Sequence, residues 1–301
     1  MSARPAERAP GVSSPHRTAS AERERGEPLG AAFYLPLGDG RFRATEWTRG
    51  PWSPAAQHGG PPAALLGRCL REQAGAGFQL VRLTLEILRP LPVAELAVRV
   101  STLRPGRRVA LLEGSIEVEG QPVVSARAWF VREATVAVPA YALEASREVW
   151  RELGEEVAWD GRAEPPGAQP TQLPAQWSPS YLEAVEWRLV HGDFAEPGRA
   201  SVWTRLRIPL LPDSPATPLE RVLAAADSGS GVSSALPFDE WTFVNTDLSV
   251  HLARKPRGEW FLLHAVTHLG TSGAGLADTL LADADGPLGR CEQALFVEPR
   301  G

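Results

Sequence analysis

Between positions 80 and 131 the chain runs in aliphatic and β-branched stretches, over 80–88, 95–102, 109–119 and 123–131, partly alternating with polar residues and broken by Arg-Pro, Pro-Gly and Glu-Gly pairs. This pattern predicts antiparallel strands in a meander. Ahead of them stands His58-Gly59-Gly60-Pro61-Pro62, where the prolines suit a first helical turn, followed by Leu65, Leu66, Cys69, Leu70 and Gln73 at helical spacing. The same order returns later. Thr217-Pro218-Leu219-Glu220 predicts a capping box opening a helix with Leu219, Val222, Leu223 and Ala226 on its inner face. Strands are predicted after it over 242–252, 259–268, 275–282 and 288–297.

The two stretches nearly repeat each other. Gly120-Gln121-Pro122 leading into Phe130-Val131 answers to Gly286-Pro287-Leu288 leading into Phe296-Val297, an offset of 166 that also carries Pro90 onto Pro256, Val100 onto Val266 and Leu103 onto Leu269. Each copy reads as an edge strand, one helix and a curled antiparallel sheet. One sheet around one helix leaves edges bare, so the two copies are expected to pair side by side.

Composition sharpens this picture at a few points. A chain of 301 residues, 43% hydrophobic, is long enough for two domains. A net charge of −5 argues against a general nucleic-acid partner. Cys69 and Cys291 lie inside predicted elements without framework spacing, which fits a reducing cytoplasm. Residues 1–28, rich in Ala, Arg, Glu, Pro and Ser, read as a disordered tail, and no apolar run is long enough to cross a bilayer. The span 136–180 reads as a linker with a short helix over 143–153 and a Pro-rich stretch over 164–170.

Several motifs in order carry a family resemblance: Trp47-Thr48-Arg49-Gly50-Pro51-Trp52, the His58-Gly59-Gly60 turn, Arg104-Pro105-Gly106-Arg107-Arg108, Ala225-Ala226-Asp227 and the closing strand with Gln293. Over residues 33 to 298 the chain resembles the double-hotdog acyl-CoA thioesterases of the bacterial type II (TesB-like) kind. The resemblance implies an α+β tandem hotdog of two antiparallel sheets, each wrapping a long helix, with an N-terminal domain over 29–135 and a C-terminal one over 181–301. It also implies hydrolysis of acyl-CoA in the cytoplasm by a monomer or homo-oligomer. The family's water-holding Asp, hydroxyl or amide residue and Gln correspond to Asp227, Asn245 and Gln293. Asn245 departs from the family's hydroxyl, and its neighbour Thr246 would point to the other side of a strand.

The residue types suit that chemistry on their own terms. A thiolate leaves readily, its thiol having a pKa of roughly 8.5, so the demanding step is delivery of water to the carbonyl. Asp227 can accept a proton, Asn245 and Gln293 can orient the water, and backbone N–H groups at Gly59 and Gly60 can hold an oxyanion at a helix start. His58 can reach the thioester carbonyl or brace the turn.

Blander readings stand beside these. Asp227 can close a helix, Gln293 can be a satisfied core amide, and the glycines can be a plain helix entry. Arg104, Arg107 and Arg108 can hold CoA phosphates or simply form a solvated hairpin. Trp52 and Trp241 are candidate acyl-pocket walls. His191, His251, His264 and His268 lack metal-ligand spacing, and no nucleotide loop is present, so neither a metal nor a cofactor is expected. The first helix has no acid before Glu72, and the offset sets Arg127 opposite Gln293, which predicts one site per chain. The rival functions are a non-catalytic acyl-CoA or acyl-carrier binding protein and, more remotely, a hotdog hydratase.

Overall fold

The computed structural model describes residues 32–144, 148, 151, 153–154, 156–169, 180–194 and 196–300. The tail expected over 1–28 lies outside these residues, as does much of the candidate helix over 143–153. The first half holds strands Tyr34–Gly38 (β1), Arg41–Ala44 (β2), Phe78–Ile87 (β3), Glu95–Arg104 (β4), Val109–Val118 (β5) and Gln121–Arg132 (β6), with helix Gly60–Ala74 (α1) after β2. The second half holds Val185–Asp193 (β7), Glu196–Leu206 (β8), Trp241–Asn245 (β9), Asp247–Leu252 (β10), Phe261–Leu269 (β11), Ala274–Asp283 (β12) and Gly286–Pro299 (β13). Its helices are Tyr181–Ala184 (α2), Pro218–Ala226 (α3) and Gly229–Val232 (α4).

The strands form one sheet in the order β1-β2-β4-β5-β6-β3-β10-β13-β12-β11-β8-β7, with β9 also pairing β13. This order reads alike from both ends. The expected pair of sheets is therefore a single one, because β3 and β10, which would otherwise be bare edges, pair from Asp247↔Glu86 to His251↔Arg82.

The offset of 166 is one residue too long. Ile116 pairs with Val124 just before a bulge, and Leu281 pairs with Gly289 just before its counterpart, which sets the halves in register at 165. Thr84 and Ser249 then occupy equivalent places and face each other across the join, Ser249 Oγ donating to Thr84 Oγ1 at 3.3 Å. Since side chains alternate between faces, the slip matters. Gln293 corresponds to the fully buried Ala128 and not to the exposed Arg127.

Three further expectations change. The strand expected over 242–252 is two strands, β9 and β10, parted at Thr246. The second long helix is broken: α3 and α4 together span 218–232, as many positions as α1, with Asp227 and Ser228 in the gap. The presumed linker packs on the second half: Trp203 Nε1 donates to Val157 O at 3.0 Å, and Ala168 exchanges backbone hydrogen bonds with Leu189.

One apolar core lies between the helices and the sheet. Leu65, Leu66 and Leu70 of α1 and Val222 and Leu223 of α3 meet Leu83, Leu112, Phe130, Leu248 and Leu263 of the strands, all fully buried. The helices touch across the two halves with almost no side chain between them. A methyl group on Gly67 would lie 2.2 Å from Leu223 Cδ1, and one on Gly60 would lie 2.1 Å from the carbonyl oxygen of Ala224. Alongside, Arg68 of α1 pairs at 3.2 Å with the buried Glu220, whose carboxylate also accepts from Thr217 N in the capping box. No helix among the described residues is long and apolar enough to cross a membrane.

The two glycines should not be equally sensitive. At Gly67 an added methyl meets the tip of a side chain that can rotate; at Gly60 it meets backbone that cannot. Gly60→Ala is expected to lower the unfolding free energy by about 1–3 kcal/mol, the usual range for overpacking, and Gly67→Ala by less. Urea unfolding of both variants checks this, and equal losses would refute it.

Candidate active site

The site grows out of the break between α3 and α4. Gln293 extends from the inner side of β13 into that break: its Oε1 accepts from Ser230 N at 3.0 Å and its Nε2 donates to Asp227 O at 3.1 Å. A side-chain amide thus stands in for missing rungs of the helical ladder, one of the recognised causes of a kink. The neighbouring carbonyls are satisfied one by one. Ala224 O accepts from the Tyr181 hydroxyl at 2.7 Å, Ala225 O from Ser228 N at 2.9 Å, and Ala226 O from Cys291 Sγ at 3.5 Å.

Asp227 sits at this terminus with its side chain 4% exposed. Two amides converge on Oδ1: Asn245 Nδ2 at 2.9 Å and Gln293 Nε2 at 3.2 Å. Asn245 Nδ2 also donates to Asp247 O at 3.0 Å, which fixes the amide's orientation. Thr246, in the gap between β9 and β10, is exposed and its hydroxyl donates to Ala294 O at 3.3 Å, while it borders the same cavity as Asn245.

The other carboxylate oxygen faces the first half. Oδ2 lies 3.1 Å from His58 Nδ1, and a methyl group on Gly59 would approach Oδ2 to 2.7 Å and Oδ1 to 2.8 Å. Only glycine fits there. His58 N donates to Thr48 O at 2.7 Å, which anchors the turn, and Gly60 N donates to His58 Nδ1 at 3.1 Å. Gly60's N–H is thereby engaged, while that of Gly59 has no partner among the described residues. Gly60 N–H and Asp227 Oδ2 compete for one ring nitrogen. Burial pushes His58 below its ordinary pKa of 6.5, outweighing the opposing pull of Asp227, so the ring is neutral at pH 7.

Tyr181 gave no signal in the sequence. It is fully buried at the start of α2, its ring lies flat on His58 with centroids 3.9 Å apart, and its hydroxyl touches both Ala224 O and Ser228 Oγ. It links the histidine turn of the first half to the helix break of the second. Only the spatial fold, with Tyr181 N donating to Arg49 O, brings it there.

Asp227, Asn245, His58 and Gly59 line a cavity of about 390 Å³ whose remaining walls are mainly apolar, among them Trp52, Leu85, Ile87 and Val124. Trp52 is held edge-on against Phe243, with centroids 4.8 Å apart. Trp241 packs on the same satellite cluster of Phe243 and Val297 as Trp52 but is not among the residues lining the cavity. Arg104, Arg107 and Arg108 border a separate depression, where Arg104 bonds Val109 O and lies over Trp129. A larger depression, about 880 Å³, lies around Arg205, Arg207 and Arg221 and contains none of the predicted residues.

Residues 48–131 match the model of the acyl-CoA thioesterase N-terminal domain and residues 162–297 that of the acyl-CoA thioesterase C-terminal domain. Among solved structures, the chain is similar to a candidate thioesterase II from Thermobifida fusca YX, with TM-score 0.66 and 18% identity over 88% of this chain and 95% of that one. It is similar to a conserved protein with a hot dog fold from Alicyclobacillus acidocaldarius, with TM-score 0.62 and 15% identity over 88% and 96%. It is also similar to an acyl-CoA thioesterase II, TesB2, from Mycobacterium marinum, with TM-score 0.59 and 16% identity over 89% and 95%. At these identities the likenesses establish the hot dog fold. No curated protein matches the sequence.

The depressed His58 has a consequence for stability. A histidine kept neutral by burial stabilises the fold fully above its unfolded pKa of 6.5, and this contribution is lost as the pH falls from there through the folded value. Urea unfolding between pH 7.5 and 5.5 is expected to show stability falling below pH 6.5, with a shallower fall in His58→Gln. His264, also depressed mainly by burial, accounts for part of the remaining slope. An identical pH profile in the variant would remove His58 from this role.

Proposed function

The chain belongs to the acyl-CoA thioesterase family, and from that premise we propose that it hydrolyses acyl-CoA thioesters with a water activated by Asp227. One observation carries the reading. Two side-chain amides converge on one oxygen of a buried carboxylate that lies against Gly59 at the wall of a mainly apolar cavity.

Asp227 takes a proton from the water, whose oxygen bonds to the thioester carbonyl carbon. Negative charge then gathers on the carbonyl oxygen, and the open N–H of Gly59 receives it. A single donor of this kind is typically worth about 2.7–4 kcal/mol in the transition state. Collapse breaks the carbon–sulfur bond, and the proton held by Asp227 is available to the departing thiolate. Asn245 holds Asp227 through Nδ2 and offers Oδ1 to the water's second proton. Gln293 acts through Asp227, since both of its N–H protons are directed at that residue. Neutral His58 fixes the Gly59-Gly60 turn.

The same reading makes the chain a tandem hotdog with domains over 29–135 and 181–301, cytoplasmic, serving fatty acid metabolism, and working as a monomer or homo-oligomer. It has one site, because Ala128 stands where the first half would need Gln293's equivalent.

The test is thiol release from short, medium, long and aromatic acyl-CoAs by the native chain and by Asp227→Asn. General-base catalysis contributes roughly 10²–10⁴-fold, so turnover is expected to fall at least a hundredfold in a variant that remains folded. Saturable one-to-one binding without thiol release from any substrate would instead make this an acyl-CoA binding protein.

A further inference from the structure

The cavity beside Asp227 does not end at His58. Next to it lies an annex of about 30 Å³ walled by Pro51, Leu182, Trp187, Phe194, Val232 and Phe238. Pro51, His58, Gly231 and Phe238 border both spaces, and of these only Gly231 has no side chain. This Gly231 differs from the other glycines around the site. A methyl group would collide with protein atoms at Gly59, Gly60 and Gly229, whereas at Gly231 it would meet nothing within 4 Å. Its backbone is that of α4, which any residue can adopt. Neither packing nor conformation therefore requires glycine at 231. What the missing side chain leaves is open space where cavity and annex meet.

We propose that Gly231 is a size-selecting position for the acyl group, whose apolar end passes its bare Cα into the annex. This rests on the thioesterase reading for the identity of the ligand. The annex suits hydrocarbon and not the pantetheine arm, because apart from Ser228, whose hydroxyl is already bonded to Tyr181, its walls are proline, leucine, valine and aromatic rings that leave the arm's amides without partners. Its volume is close to that of one water-sized group, so it receives the last carbon or two of a chain. A side chain at 231 narrows the passage and acts more on long acyl groups than on short ones.

The experiment compares the native chain with Gly231→Ala and Gly231→Leu. Equilibrium binding is measured for S-ethyl-, S-hexyl- and S-dodecyl-CoA thioethers, which cannot be hydrolysed, beside thiol release from the matching acyl-CoAs. The affinity of Gly231→Leu for the dodecyl thioether is expected to fall at least tenfold further than for the ethyl one, with Gly231→Ala between. Equal losses for all chains, or none, would place the acyl group elsewhere and overturn the proposal. Should Gly231→Leu fail to fold by circular dichroism, the Gly231→Ala ratio decides. Because thioether binding needs no turnover, absent thiol release in the native chain counts against hydrolysis alone. Absence of any thioether binding overturns both readings.

Discussion

The close approach of α1 to α3 is the constraint on which the site depends. Gly60 sits against the carbonyl oxygen of Ala224 with no room for a methyl group, and Gly59 sits against the carboxylate of Asp227 in the same way. Widening this contact would carry the glycine turn and His58 away from the carboxylate together. Two half-sheets, each with its own helix, supply the apolar burial. The bare backbone at the crossing brings a residue from one half within hydrogen-bond range of a residue from the other.

The second constraint is the broken helix. A carboxylate at a helix C-terminus meets partial negative charge from the last carbonyls, an arrangement that ordinarily destabilises. Here Ala224, Ala225, Ala226 and Asp227 each have their carbonyl oxygen engaged by a different donor, three of them side chains from outside the helix. Tyr181, Cys291 and Gln293 thus satisfy groups that a continuous helix would satisfy itself. The break lets Asp227 reach the cavity wall while its own backbone stays buried and bonded.

The sequence disclosed the order of elements well and their registration less well. The capping box, the glycine-proline turn and most strands follow from short-range spacing, whereas Asp227, Asn245 and Gln293 are singled out by the family resemblance. The repeat offset erred by one residue because aliphatic strands tolerate a slip in letters that a pleated sheet does not tolerate in facing. Only cross-strand pairing, as at Ile116 with Val124, fixes which residue points inward. The pairing of β8 with β11 and the role of Tyr181 depend on contacts far apart in the chain, and no local pattern marks them. Gly60's engagement with His58 is equally invisible to spacing, since it depends on where an imidazole turns.

The pairing of Thr84 with Ser249 across the join has a consequence for how the site responds to dilution. A site shared between two separately folded copies would come apart as protein concentration fell, because its halves would associate by mass action. Here the join lies within one chain, and each half meets the other at an effective concentration set by their covalent connection. The carboxylate and its glycine turn therefore remain together in a single molecule, whatever the abundance of the protein around it.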